Sequence, residues 1–275
     1  MYEQYWRLNR NPFENHADPA FFFVSETHQS ALLKIRYLIE NRKGAGILVG
    51  GTGSGKTCLT HVLASQLAET HGPFVHLVFP QLSPAELLAY LAVELGGNPA
   101  ALGAGLPRLD QTIREIEQLL AAHTEQRRHP VIIVDEAHLI EDQAVFQALR
   151  LLLNFQKPGR ADFTLLLAGQ RDLLCTIHRL PQLEERLAVK CLLRPLQEAE
   201  ASAYVSWRLE TSGARRQIFS REALHSVFEL SGGVPRRINR ICDLALLVGY
   251  ADESESISSE QVEAVSEELT TAVPD

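Results

Sequence analysis

One stretch of eight residues constrains this chain more than any other. Gly50-Gly51-Thr52-Gly53-Ser54-Gly55-Lys56-Thr57 fits G-x-x-x-x-G-K-[ST], the phosphate-binding P-loop. Before it, Gly46-Ile47-Leu48-Val49 reads as a short buried strand. After it, Cys58 to Ala64 carries apolar residues at helical spacing. Strand, glycine loop and helix in that order are the setting the motif requires. Glycines let the backbone curl so that successive amides point at phosphate oxygens, and the helix N-terminus adds partial positive charge. Lys56 is expected to reach the β- and γ-phosphates, and the Thr57 hydroxyl to ligate Mg²⁺. Cys58 adjoins Thr57. Alkylation there would obstruct the loop, although plain packing is the more ordinary role for it.

A second constellation completes the first. Val131-Ile132-Ile133-Val134-Asp135-Glu136 is an apolar run ending in two carboxylates, with Asp135 lying 79 residues after Lys56. Such a run predicts a central strand buried on both faces, and open α/β sheets place ligands at the C-terminal ends of such strands. Asp135 is expected to hold Mg²⁺, directly or through water, and Glu136 to orient and deprotonate an attacking water. His138 completes an Asp-Glu-Ala-His string resembling a helicase motif. No other helicase motif follows, so a helix-start histidine is the expected role. Phe163 to Gln170 is the next strand, and the Gln170 amide at its end is expected to contact the γ-phosphate or the lytic water (sensor 1). Arg186, ahead of a strand from Val189 to Leu193, is expected to serve a neighbouring subunit as an arginine finger. Arg179 and Lys190 are the fallbacks. Gly232-Gly233-Val234-Pro235-Arg236 ends one helix and starts another, delivering Arg236 as a second sensor of the γ-phosphate.

The alternation of strands and helices implies an α/β fold with a doubly wound parallel sheet. Strands stop after Pro195. The expected division is therefore a nucleotide domain of residues 1–195 and a helical lid of 196–275. Residues 1–43 form an aromatic lead-in (Tyr2, Tyr5, Trp6, Phe13, Phe21-Phe22-Phe23), with a helix opening near Ser25 and His28. Those aromatics read equally well as a cap on the sheet edge or as part of an adenine pocket. Phe74–Phe79 is expected as a strand, Ser83-Pro84 as the N-cap and first position of a helix through Leu95, and 96–107 as a glycine- and proline-rich loop. A further amphipathic helix runs from Leu109 to about Gln126.

Charge and cysteines bound the rest. The net charge is −8, yet the stretch from Ala251 onward holds eight acidic residues and no Lys or Arg, which leaves 1–250 near zero. Residues 205–240 carry seven arginines against three glutamates, a surplus of +4. That is modest for a surface facing a phosphate backbone, so duplex DNA is not the favoured ligand. The four cysteines are widely spaced, with no C-x-x-C, and read as reduced, mostly buried thiols of a cytoplasmic protein. No signal peptide opens the chain and no apolar run approaches the ~18 residues that span a bilayer. Membrane association is expected only through a partner.

With those residues in place the chain resembles the AAA+ ATPases, and more narrowly the ExeA/GspA-type family. The resemblance covers nearly the whole length. It rests on Met1-Tyr2 through Leu8, Asn11-Pro12-Phe13, Asp18-Pro19, Ser25 with His28, the P-loop, Asp135-Glu136-Ala137, Leu167-Ala168-Gly169-Gln170, Arg194-Pro195-Leu196, and Gly233-Val234-Pro235-Arg236 with Ile238-Asn239. It implies ATP and Mg²⁺ as ligands, a homo-oligomeric ring or filament, and service to a bacterial secretion or pilus machine. Relatives include TnsC-like regulators of DNA transposition. The sequence departs from the pattern at Gly51, at Cys58 and at Lys190-Cys191, where the family often has an acidic residue, threonine and Arg-Tyr. Secretion members also carry a transmembrane helix and a cell-wall-binding domain after the ATPase, and neither is found within these 275 residues.

Overall fold

The structure is a computed structural model that describes residues 1–15, 18–69, 71–78, 80–98, 108–157 and 160–271. Phe79 and residues 99–107 of the expected loop, including Gly103, Gly105 and Pro107, lie outside these residues. The chain divides into two compact units. One comprises 26–51 and 59–193; the other comprises 1–25, 52–58 and 194–275.

The first unit is built on a five-stranded parallel sheet: β1 (Ala45–Gly50), β2 (Phe74–Leu77), β3 (Val131–Val134), β6 (Thr164–Gly169) and β7 (Leu187–Leu193). Strand order is β2-β3-β6-β1-β7, so β6 is inserted between the P-loop strand and the acidic strand. Every residue of β1, β3 and β6 is buried. That is why these strands are continuous apolar runs without alternation. Ile47, Val49, Ile132, Val134, Leu165 and Leu167 pack on one face against α4 (Pro84–Glu94), α5 (Leu109–Glu125) and α6 (Gln143–Leu152). On the other face, α2 (Glu26–Glu40) lies along β1 and β7. Gly46 permits this approach, since a Cβ there would fall 2.6 Å from Leu38. Ser83 caps α4 in a reciprocal capping box with Glu86, and Pro84 takes the first helical position. A two-stranded ribbon of β4 (Gln156–Lys157) and β5 (Arg160–Ala161), then α7 (Asp172–His178) and α8 (Pro181–Glu184), complete the unit. β2 is shorter than expected. The backbone leaves the sheet after Leu77, where Val78 is already exposed, ahead of the breaker Pro80. The helix α3 (Lys56–Leu67) begins at the P-loop lysine.

The second unit is helical: α1 (Tyr2–Tyr5), a 3₁₀ turn Pro19–Phe21, α9 (Glu198–Thr211), α10 (Arg221–Ser231), α11 (Pro235–Ala251) and α12 (Ser259–Thr271). Its core takes Tyr2, Trp6 and Phe13 from the lead-in and packs them with Tyr204, Phe219 and Leu246. The Trp6 indole donates to the carbonyl of Leu246 at 2.9 Å, and the Tyr2 hydroxyl donates to Asp243. Most of the aromatic lead-in is therefore core of the helical unit. Gly233 has φ +69, and a Cβ there would fall 2.0 Å from the Leu196 oxygen, so only glycine fits this turn into α11. Val262 and Val265 bury the apolar face of α12, so the acidic end of the chain is a packed helix through Thr271.

All four cysteines are free. Cys191 and Cys242 are buried, Cys58 is half-buried and Cys175 is exposed. No helix among the described residues is long and apolar enough to cross a membrane.

Candidate functional site

In a parallel sheet all C-terminal strand ends share one edge, and that edge is where the polar residues collect. β1 ends at Gly50 and passes into Gly51; β3 ends before Asp135 and Glu136; β6 ends before Gln170. Asp135 is buried, and its Oδ1 accepts the Glu136 amide at 2.8 Å. Glu136 holds a left-handed backbone conformation, φ 48 and ψ 34, which is costly for a non-glycine residue and recurs at functional sites. Its side chain is 40% exposed, while the Oε2 atom itself is buried.

Two histidines that the motifs did not assign join this edge. His76 of β2 sets Nε2 3.5 Å from Asp135 Oδ2, and its ring meets His61 of α3 edge-on at 5.5 Å between centroids. The signal for His76 in the sequence is faint: one polar residue inside an apolar strand. His138, on the 3₁₀ turn Ala137–Leu139, sets Nδ1 3.3 Å from Glu136 Oε2 and accepts the backbone N–H of Gln170 at 3.4 Å. The structure thus brings Asp135, Glu136 and Gln170 together, with His138 linking the last two.

The helical unit contains the rest of the P-loop. Gly53 and Gly55 have φ +75 and +90, the left-handed turns through which such a loop directs its amides inward. Ser54 and Lys56 are buried. Thr52 is exposed, while Gly55, Thr57 and Cys58 are half-buried. The Arg236 amide donates to the Gly53 carbonyl at 3.3 Å, and a Cβ on Gly53 would fall 2.5 Å from the Arg236 Cβ, so the start of α11 rests on the loop. The Arg236 side chain is exposed, as are Arg237 and Arg240. Cys58 Sγ lies 3.8 Å from the Asp18 carbonyl, and burial pushes its thiol up to about 11.

Arg186 is placed apart from these groups. It precedes β7, at the N-terminal edge of the sheet, is exposed, and donates to Asn154 Oδ1 at 3.0 Å. Arg179 ends α7, and Lys190 is engaged by Glu184 at 2.5 Å.

Thr57 in one unit and Asp135 in the other are each a hard oxygen donor of the kind that Mg²⁺ takes beside phosphates and water. The left-handed glycines and buried Lys56 likewise suit a polyphosphate.

An AAA domain family model matches residues 39–176. The chain is 34% identical to General secretion pathway protein A of Aeromonas hydrophila over 260 residues, which is 94% of this chain and 46% of that protein. It thus spans about half the length of that relative. Among solved structures, the Aeropyrum pernix ORC2 protein superposes with a TM-score of 0.70 at 17% identity, covering 97% of this chain and 75% of that one. The Thermotoga maritima RuvB Holliday junction branch migration motor gives 0.58 at 19% identity, covering 90% and 70%. These structures share the fold, a parallel-sheet P-loop domain followed by helices. On its match to the family model over half of its length, the chain belongs to the AAA domain family and is an AAA+ ATPase.

Proposed function

We propose that this ATPase uses ATP and Mg²⁺ as an assembly switch that drives the assembly or remodelling of a protein partner in a bacterial secretion or pilus system. The observation that carries the reading is the placement of Asp135, Glu136 and Gln170 at the ends of β3 and β6, beside the strand that runs into the P-loop. The glycine loop and Lys56 would bind the phosphates, and Thr57 and Asp135 would hold Mg²⁺, which would supply charge neutralisation at the transferring phosphoryl group. Glu136 takes a proton from the attacking water, and Gln170 orients that water or the γ-phosphate. Arg236, at the start of α11, senses the nucleotide from the lid, and Arg186 completes the site of a neighbouring copy. Residues 1–195 and 196–275 act as nucleotide domain and lid, with the lead-in following the lid. The secretion role is supported by the relation to the Aeromonas protein.

The test separates binding from hydrolysis. Lys56→Ala should lose ATP binding, whereas Glu136→Gln should bind ATP-Mg²⁺, lose most turnover and sediment as a larger species than the nucleotide-free chain. Parental turnover in Glu136→Gln would remove Glu136 as the base. A monomer with and without ATP, at roughly tens of micromolar protein where weak interfaces show, would count against the assembly switch.

A further inference from the structure

The mechanism above gives no role to His138, yet this histidine lies between the Glu136 carboxylate and the backbone N–H of Gln170. Its side chain is only 10% exposed. Its Nδ1 faces Glu136 Oε2 at 3.3 Å and the Gln170 amide nitrogen at 3.4 Å. Gly169 makes room for it: a Cβ at 169 would fall 3.2 Å from the His138 amide nitrogen and 3.4 Å from Nδ1. One imidazole nitrogen cannot serve both neighbours at once. With a proton on Nδ1 it donates to the carboxylate; with a lone pair there it accepts from the amide. The two contacts are therefore alternatives.

We propose that His138 is a positioning residue for ATP hydrolysis, whose Nδ1 holds the Glu136 carboxylate in one tautomer and releases it to accept the backbone N–H of Gln170 in the other. This rests on the reading of Glu136 as the base. A base contributes about 10²–10⁴ to the rate only when it is held within reach of the proton it takes. Glu136 stands on a strained turn with a partly exposed side chain, and the Nδ1–H bond limits the orientations its carboxylate samples. The competing bond to Gln170 ties that orientation to the end of β6.

Asparagine places a donor and an acceptor near the Nδ1 position, glutamine moves them one carbon further, and leucine removes both. Steady-state turnover of the full chain should fall about tenfold in His138→Leu, with KM for ATP unchanged. His138→Asn should keep most of the turnover, and His138→Gln should resemble His138→Leu. Adding His138→Leu to Glu136→Gln should lower the residual rate no further. If His138→Leu does not fold, the Asn and Gln variants carry the comparison, with thermal melting as the control for folding. Three results would each overturn the proposal: parental kcat in His138→Leu, equal loss in Asn and Gln variants that melt like the parent, or a further loss in the double variant. Loss of turnover in Glu136→Gln with none in His138→Leu would overturn the His138 role alone. Parental turnover in Glu136→Gln would remove the base and the proposal with it.

Discussion

The Arg236 amide donates to the carbonyl of Gly53 across 3.3 Å, so the first turn of the seventeen-residue helix α11 is bonded to the glycine turn of the P-loop. This bond ties the start of α11 to the backbone of the loop. A Cβ on Gly53 would also meet the Arg236 side chain, whereas one on Gly51 would meet nothing within 4 Å.

Gly53→Ala places a side chain on a backbone with φ +75 and within 2.5 Å of the Arg236 Cβ. The left-handed conformation alone costs about 1 kcal/mol in a non-glycine residue, and relieving the contact must shift α11 or the loop. We expect a lower melting temperature and weaker ATP binding by calorimetry. At Gly51 an added Cβ would meet nothing within 4 Å, so Gly51→Ala should melt like the parent. Equal melting of the two variants would show that the Gly53 contact yields without cost.

The helical unit buries an arginine whose hydrogen bonds, among the described residues, go to carbonyl and hydroxyl oxygens. Arg208 is 3% exposed; it donates to the carbonyl oxygens of Pro12 and Glu14 and to the Tyr204 hydroxyl at 2.8 Å. Its guanidinium also lies 4.5 Å from the centre of the Phe21 ring, where Arg10 approaches at 4.0 Å. Hydrogen bonds from a charged group contribute about 1.5–3 kcal/mol, and their loss strands buried acceptors. Arg208→Met should therefore lose about 2–3 kcal/mol in denaturant unfolding and admit protease to the lead-in first. Parental stability would mean that water replaces these bonds without loss.

The P-loop and the acidic strand were legible because their chemistry demands particular residues at fixed places, and the buried strands because parallel strands covered on both faces are uniformly apolar. The role of Tyr2, Trp6 and Phe13 was not legible as lid core. Their partners, Leu246 and Phe219 among them, lie some two hundred residues away, and no local pattern names a distant partner. β2 ended early for a related reason: Pro80 marks a place the strand cannot pass, while the sheet is left at Leu77. His76 escaped notice and His138 was read only as a helix-start residue, because a lone histidine takes its meaning from what faces it. Asp135 and Glu136 face these two only once β2, β3 and β6 are aligned.

Stability should fall on acidification through one buried histidine. His129 is 1% exposed, its Nε2 lies 2.8 Å from the Thr164 hydroxyl, and burial followed by the charge of Arg42 lowers its pKa from 6.5 to about 3. Burial lowers His71, its ring neighbour, in the same direction. Below pH 6.5 the unfolded chain takes a proton on His129 that the folded chain refuses. The unfolded state is thereby favoured increasingly as pH drops toward 3, by at most about 1.4 kcal/mol per unit. Melting temperature should decline from pH 6.5 to 4.5, and His129→Gln should flatten that decline. An unchanged slope in the variant would assign the acid sensitivity to carboxylates.

Arg186 is the site residue whose position most restricts how it works. It precedes β7 at the N-terminal edge of a parallel sheet, whereas Asp135, Glu136 and Gln170 follow strands at the C-terminal edge. An arginine at one edge does not reach the groups proposed for catalysis at the opposite edge of its own sheet, so the proposed contribution to hydrolysis is made to another copy. Its bond to Asn154 holds the side chain at the surface, which suits a group offered to a neighbour. Arg186→Ala alone should bind ATP normally and hydrolyse it slowly, because every site then lacks a finger; removing one costs about 10³–10⁵ where such fingers are known. Mixing it with Lys56→Ala, which loses ATP binding but keeps its own arginine, should restore part of the turnover in proportion to mixed neighbours. Co-assembly of the two variants without any recovery of activity would reduce Arg186 to its bond with Asn154, and Arg179 and Lys190 would then be tested in the same mixture.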